Sequence, residues 1–237
     1  MNEEGVNKKK NIYFLHIAGT GGKAFKEYII NPLLNKNENE ENSGRHNGWS
    51  YDIDDNTYVM CILRDPVKHA CGFYLHFVFR IEDGHDKFKF GSGVEISKLK
   101  SLFLDYYRQA KHLYNFQSKN LMGPWGLLGD YPKLSSMLDI TVNEDLLEKR
   151  LGRINFLISQ DILQDDPQYV ANALAKDLII PKIRLEEISR TKHSNSFSDK
   201  LYKSLTEEEK QEIQDLNKID YKIYSQLRLK ESKHVLF

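Results

Sequence analysis

Residues able to do chemistry are concentrated in two short stretches of this chain of 237 residues. The first is Ile12-Tyr13-Phe14-Leu15-His16-Ile17-Ala18-Gly19-Thr20-Gly21-Gly22-Lys23-Ala24-Phe25, an apolar run that passes through Gly19, Gly21 and Gly22 into a helical spacing of apolar residues. Ile12 to Ile17 is short, β-branched and aromatic, which predicts a strand buried on both faces. Glycines at such a junction let the backbone turn sharply and bring N–H groups against an anion. The helix that follows adds unpaired N–H groups and the positive end of its dipole, so the chemistry implied is phosphate binding. The second stretch is Arg64-Asp65-Pro66, which ends the apolar run Tyr58 to Leu63. Pro66 is suited to open a helix and Asp65 to cap it. Arg64 then stands at the C-terminal tip of a strand, the edge of a parallel sheet where ligands bind.

The commonest nucleotide motifs do not fit these stretches. A P-loop needs G-x-x-x-x-G-K-[ST]; counted back from Gly22-Lys23, the first glycine position holds Ile17, and the hydroxyl position that would hold Mg²⁺ holds Ala24. The dinucleotide fingerprint G-x-G-x-x-G fails at Ala24, although alanine is sometimes tolerated there. With 34 basic and 34 acidic side chains the formal charge is zero, so the balance proposes no nucleic-acid partner and no membrane surface. Any anion site is local. Cys61 and Cys71 both fall in apolar surroundings, as buried thiols of a reducing compartment do, and they form no metal motif. Met1 to Lys10 is polar and basic, and no stretch reaches the roughly 18 apolar residues of a membrane helix. The expectation is a soluble, cytoplasmic protein.

The elements that must position these stretches alternate between strand and helix. After the first helix, 35–47 is rich in Asn and Glu and reads as a surface loop, with His46 among the glycines and aromatics of 44–51. Tyr58 to Leu63 is a second buried strand, and Val67, Ala70, Cys71, Tyr74, Leu75 and Val78 form one face of the helix after Pro66. Asp83 to Gly93 reads as loop. Leu99, Leu102, Phe103, Tyr106, Tyr107, Ala110 and Leu113 predict one long amphipathic helix over 97–114. A Gly/Pro/Trp loop runs to Pro132, and Thr141 with Glu144 reads as a capping box for a helix to Leu151. Ile154 to Ser159 is a third strand, and a helix follows over 167–178, beginning at Asp166 or Pro167. Arg190 to Ser198 reads as polar loop. Thr206 with Glu209 caps a last helix whose core face runs from Ile213 to Leu227. The pattern predicts an α/β fold: a single three-layer, P-loop-like domain over 1–237, with residues 1–10 flexible and a mainly parallel sheet flanked by helices.

Taken together, the two stretches resemble the nucleotide-binding signature of sulfotransferases that use 3′-phosphoadenosine 5′-phosphosulfate (PAPS), in the carbohydrate 2-O-sulfotransferase-like branch. There a strand leads into H-I-P-K-T-G-G-T-S and a helix; here His16-Ile17-Ala18-Gly19-Thr20-Gly21-Gly22-Lys23-Ala24 is similar in frame. A later strand in that branch ends in L-R-D-P-V-x-R-x-x-S-x-Y; Leu63-Arg64-Asp65-Pro66-Val67-Lys68-His69-Ala70-Cys71-Gly72-Phe73-Tyr74 is similar to it. Asn115-Phe116-Gln117-Ser118-Lys119-Asn120-Leu121 resembles a family N-x-Q-[ST]-[KR]-x-L segment, and Asp220-Tyr221 with Tyr224 a family D-x-x-L-Y ending.

The resemblance implies transfer of a sulfuryl group from PAPS to a hydroxyl of a carbohydrate or small metabolite, without a metal. It implies that Gly19, Thr20, Gly21, Gly22, Lys23 and Ala24 cradle the 5′-phosphosulfate, that Arg64, with Gly72 in the same motif, holds the 3′-phosphate, and that His46 is the acceptor base. The chain also departs from the family pattern. Gly19 stands where the family has the lysine on the leaving phosphate, a contact whose loss typically costs on the order of 3 kcal/mol of barrier. Lys23 is the nearest cation, and Gly72 replaces the family serine. Two alternatives follow: a PAPS-binding or PAP-binding protein of the same fold with impaired turnover, PAP being the desulfated nucleotide, and a small-molecule kinase.

Overall fold

In a computed structural model, residues 11–31, 49, 53–78, 95–123, 141–179 and 197–232 are described. Their centre is a sheet of three parallel strands in the order β1 (Ile12–Leu15), β2 (Tyr58–Leu63), β3 (Phe156–Ser159). Ile12 pairs with Tyr58 and Leu15 with Cys61, while Met60 pairs with Phe156 and Leu63 with Ser159. The three strands therefore end together, and the segments leaving them share one edge. The first strand is shorter than the apolar run predicts: His16 and Ile17 have already left the ladder. The third begins at Phe156, two residues later than its apolar run.

Period-two alternation sends side chains to both faces, and both are covered. Phe14, Tyr58, Met60, Ile62, Phe156 and Ile158 pack against α1 (Gly22–Phe25), its continuation through Ile30, and α7 (Pro167–Asp177), through Phe25, Ile29, Val170 and Leu174. Tyr13, Leu15, Val59, Cys61, Leu63 and Leu157 face the larger core. That side is built from α2 (Pro66–Phe73), α3 (Ile96–Gln109), α4 (Phe116–Met122), α5 (Glu144–Leu151), α8 (Phe197–Ser204), α9 (Glu207–Leu216) and α10 (Lys218–Glu231). A short helix, α6 (Gln160–Asp165), leaves β3 directly. The described chain is thus α/β, with helices flanking a parallel sheet, and none of its helices is long and apolar enough to cross a membrane.

Local chemistry explains where helices begin and where the sequence pattern misplaces an end. Asp65 accepts the Lys68 N–H at 2.9 Å with Pro66 in the first turn, as predicted. Thr206 and Glu209 form the predicted capping box. The box at Thr141 does not form; Asn143 is the cap, accepting from the Leu146 N–H at 2.9 Å. The predicted helix over 97–114 breaks at Ala110, with a 3₁₀ turn over Lys111–Leu113. The last helix divides at Asn217, whose side chain donates to the Tyr107 hydroxyl and the Ile213 carbonyl, both at 2.7 Å, and accepts the Asn115 N–H at 2.9 Å. A side chain that bonds two distant groups, Tyr107 and Asn115, and folds back on the carbonyl four residues before it competes with the helical ladder and divides it.

The break at Asn217 lets two helices cap each other. Asn115, in the left-handed region at φ 52°, accepts the Ile219 N–H at 2.9 Å through Oδ1. In return Asp220 accepts the N–H groups of Gln117 at 3.0 Å and Ser118 at 2.7 Å, together with the Ser118 hydroxyl. Burial outweighs those donors and raises the Asp220 pKa to about 6. Asp220→Ala strands all three donors in the core, and is expected to lower stability by about 3 kcal/mol, read as an earlier urea midpoint with an unchanged slope. A midpoint equal to that of the native chain would show that water replaces the carboxylate.

Candidate functional site

The edge where the strands end gathers Ala18 to Gly22 after β1, Arg64 and Asp65 after β2, and Gln160 and Asp161 after β3. Gly19 and Gly21 hold φ of 82° and 86°, a region that only glycine enters without strain. Thr20 is buried and its hydroxyl donates to the Ile17 carbonyl at 2.8 Å, so this side chain closes the turn on itself. The α-helical part of α1 is one turn long and widens into a π turn over Lys26–Ile30, so the chemistry of the loop depends on the side chains around it.

Those side chains explain the glycines. A β-carbon on Gly22 would lie 2.1 Å from Cδ2 and 2.4 Å from Nε2 of His16, whose ring stacks on Phe14 at 5.3 Å. One on Gly21 would lie 2.9 Å from Nε2 of Gln160, and one on Gly19 3.3 Å from Nε2 of His69. On Gly72 it would meet Nη1 of Arg64 at 2.6 Å. Each glycine of the two motifs therefore makes room for a nitrogen-bearing side chain. At Gly72 the guanidinium lies where a larger residue would stand.

Arg64 is fixed at both ends. Its backbone N–H donates to Oε1 of Gln117 at 2.8 Å, and its carbonyl accepts from Nε2 of Gln117 at the same distance. Its Nη1 donates to the Gly19 carbonyl at 3.1 Å, which joins the two motifs directly. Among the described residues Nε, which is buried, has no hydrogen-bond partner and the guanidinium forms no ion pair with a carboxylate. Burial pulls its pKa below the usual value, opposed by the field of Asp199, Cys71, Asp161 and Asp65. A desolvated cation without a contacting counter-ion is costly, and an anion at that point would offset the cost.

Most other polar side chains of this edge are engaged with one another. Lys68 donates to Asp161 at 2.9 Å, and Asp161 also accepts from the Tyr224 hydroxyl. Burial pushes Asp161 up, but Tyr224 and Lys68 outweigh it and hold the carboxyl below its usual value. Ser159 donates to Glu231, from its N–H at 2.6 Å and its hydroxyl at 2.7 Å. Nε2 of His69 donates to the Ala18 carbonyl at 2.7 Å, and the ring lies against Phe116 at 5.5 Å.

The structure thus brings together Gly19, Thr20, Gly21, Gly22, Arg64 and Gly72. Ala24 lies half-buried in α1. Lys23 does not turn back over the loop; its side chain is 85% exposed and its ammonium stands 3.8 Å from Glu27. His46 lies outside the described residues, as do 1–10, 35–47, 83–93, 124–132 and 190–196 of the predicted loops. Sequence reasoning missed Gln160, which carries no signal beyond its place after an apolar strand, and the bonding of Gln117, which sits in the N-x-Q-[ST]-[KR] segment. No group of three or more His, Cys, Asp or Glu among the described residues could hold a metal ion. Compared with protein-family models, curated proteins and solved structures, the chain matches none.

Two measurements check this geometry. Gly22→Ala is expected to destabilise by roughly 1–3 kcal/mol through overpacking against His16, and to cost clearly less in the presence of His16→Ala. Strict additivity in that cycle would mean the ring does not occupy the space. Burial, opposed by the bond to Ala18, lowers the His69 pKa to about 4, below the 6.5 of an unfolded histidine. At this site the unfolded chain takes up a proton first as pH falls, so, against the opposite slope that the raised pKa of Asp220 gives, the contribution of His69 to stability is full above about pH 6.5 and declines by on the order of 3 kcal/mol towards pH 4. His69→Gln keeps a donor for Ala18 and is expected to remove that slope; an unchanged slope would assign it to another group.

Proposed function

We propose that this chain binds PAPS at the edge formed by the glycine loop and Arg64, on a P-loop-like α/β architecture, and transfers its sulfuryl group to a hydroxyl of a carbohydrate or small metabolite. In the step, the acceptor oxygen bonds to sulfur as sulfur parts from the bridging oxygen of the 5′-phosphate. The acceptor proton goes to a base, a role the family resemblance gives to His46. The products are a sulfate ester, PAP and a proton. A cytoplasmic location accords with this reading.

The observation that carries the reading is Arg64: a guanidinium packed on Gly72, bonded to Gly19, with a buried Nε that has no partner among the described residues. The cradle suits an anion by the charge of Arg64 and by the nitrogen-bearing side chains its glycines admit. Magnitudes favour Arg64 over Lys23 as the main contact. A unit charge about 4 Å from a phosphate is worth about 4 kcal/mol at the effective dielectric of a protein surface and about 1 kcal/mol in bulk water, the setting of the exposed Lys23. With Gly19 in place of the family lysine and Lys23 beside Glu27, transition-state charge on the leaving phosphate has no cation from the loop itself. That observation favours a second reading, in which the chain binds PAPS or PAP without turnover.

Calorimetric titration is expected to show PAP binding without Mg²⁺, weakened by about 2 kcal/mol or more in Arg64→Ala, the scale of losing a charge-assisted contact. Labelled sulfate passing from PAPS to a hydroxyl acceptor, and lost in His46→Ala, would distinguish transfer from binding alone. A melting temperature raised by ATP with Mg²⁺ and not by PAP would overturn both readings in favour of a kinase.

A further inference from the structure

The hydrogen bonds at the sheet edge leave few donors free for a ligand. Lys68 is tied to Asp161, Ser159 to Glu231, His69 to Ala18, and Lys23 is turned out to Glu27. Besides the guanidinium of Arg64, the carboxamide of Gln160 remains. It is the first residue beyond β3, next to Arg64 in the parallel register, where Leu63 pairs with Ser159. Its side chain reaches back to the loop after β1: Nε2 lies 2.9 Å, and Cδ and Cγ 3.2 Å, from where a β-carbon of Gly21 would stand. The side chain is half-buried and makes no hydrogen bond among the described residues.

We propose that Gln160 is a ligand-binding residue of the glycine loop, its carboxamide donating to the 5′-phosphate end of the nucleotide in the place where the loop lacks a cation. The inference rests on the nucleotide reading given above and adds a residue and a division of labour to it. A carboxamide supplies two N–H donors without charge, so it orients a phosphate oxygen and leaves the electrostatic attraction to Arg64. The glycine at position 21 gains a second reason in the same way. Any side chain there would push the carboxamide off the loop, whatever the strain at φ 86°.

The test titrates the native chain, Gln160→Glu and Gln160→Asn with PAP, adenosine 5′-monophosphate and adenosine 3′-monophosphate at pH 7. Gln160→Glu keeps the shape but turns donors into a repelling carboxylate. It is expected to weaken PAP and the 5′-monophosphate by about tenfold or more and the 3′-monophosphate by less than about twofold. Unchanged PAP affinity in a variant that melts like the native chain overturns the role of Gln160 and leaves the nucleotide reading standing. Equal weakening of all three ligands overturns the assignment to the 5′ end. If Gln160→Glu does not fold, Gln160→Asn, shorter by one methylene, decides: a loss confined to PAP and the 5′-monophosphate is expected, and native affinity overturns the proposal. A native chain that binds none of the three overturns the nucleotide reading, and the role of Gln160 with it.

Discussion

Two hydrogen bonds between one carboxamide and one residue's main chain set the position of everything at the sheet edge. Past Leu63 the ladder of β2 has ended, and the N–H and C=O of Arg64 need partners in a half-buried setting. Gln117 supplies both, acting as a strand neighbour one residue long. The carboxamide can do so only because α4 is held in place, and α4 is held by Asp220 from α10, whose own start is held by Asn115. A line of constraint therefore runs from the C-terminal helices through α4 to the guanidinium. The two short segments 115–121 and 220–224 are the two ends of that line.

Charge at this edge is arranged so that nearby acids act on Arg64 through their field while bonding to other groups. Asp65 is engaged by the Lys68 N–H as a helix cap, and Asp161 by Lys68 and Tyr224. Glu231 is buried against Ser159 and Arg228. Each of these three carboxylates is thus bonded to a neighbour other than Arg64. The same pairing rule explains His69, kept neutral by burial so that it adds no charge beside the guanidinium and serves as a donor to Ala18.

Much of the fold is legible in the sequence because burial on both faces of a sheet leaves a short continuous apolar run, as at Tyr58 to Leu63 and Phe156 to Ser159. Caps whose partners lie three residues away, at Asp65 and Thr206, are legible for the same local reason. What fails is whatever depends on a distant partner. Asn217 divides a helix by bonding Tyr107 and Asn115, and Asn143 displaces Thr141 as a cap. At the site, Arg64 is legible from its place at a strand end. The glycines are legible as glycines, but the bodies that require them, His16, Gln160 and His69, are not. Two of those three contacts join residues that are far apart in the chain, and no local pattern records which side chain leans on which backbone.

Both cysteines lie under this edge, Cys61 in the middle of β2 and Cys71 in α2 beside the guanidinium, each buried with a free thiol that burial pushes far above the ordinary value. A thiol in that state does not react while the strand and helix stay packed. The molecule thus carries its own clock: the rate at which an alkylating reagent captures Cys61 or Cys71 times how often the floor of the site opens, residue by residue and without an introduced label.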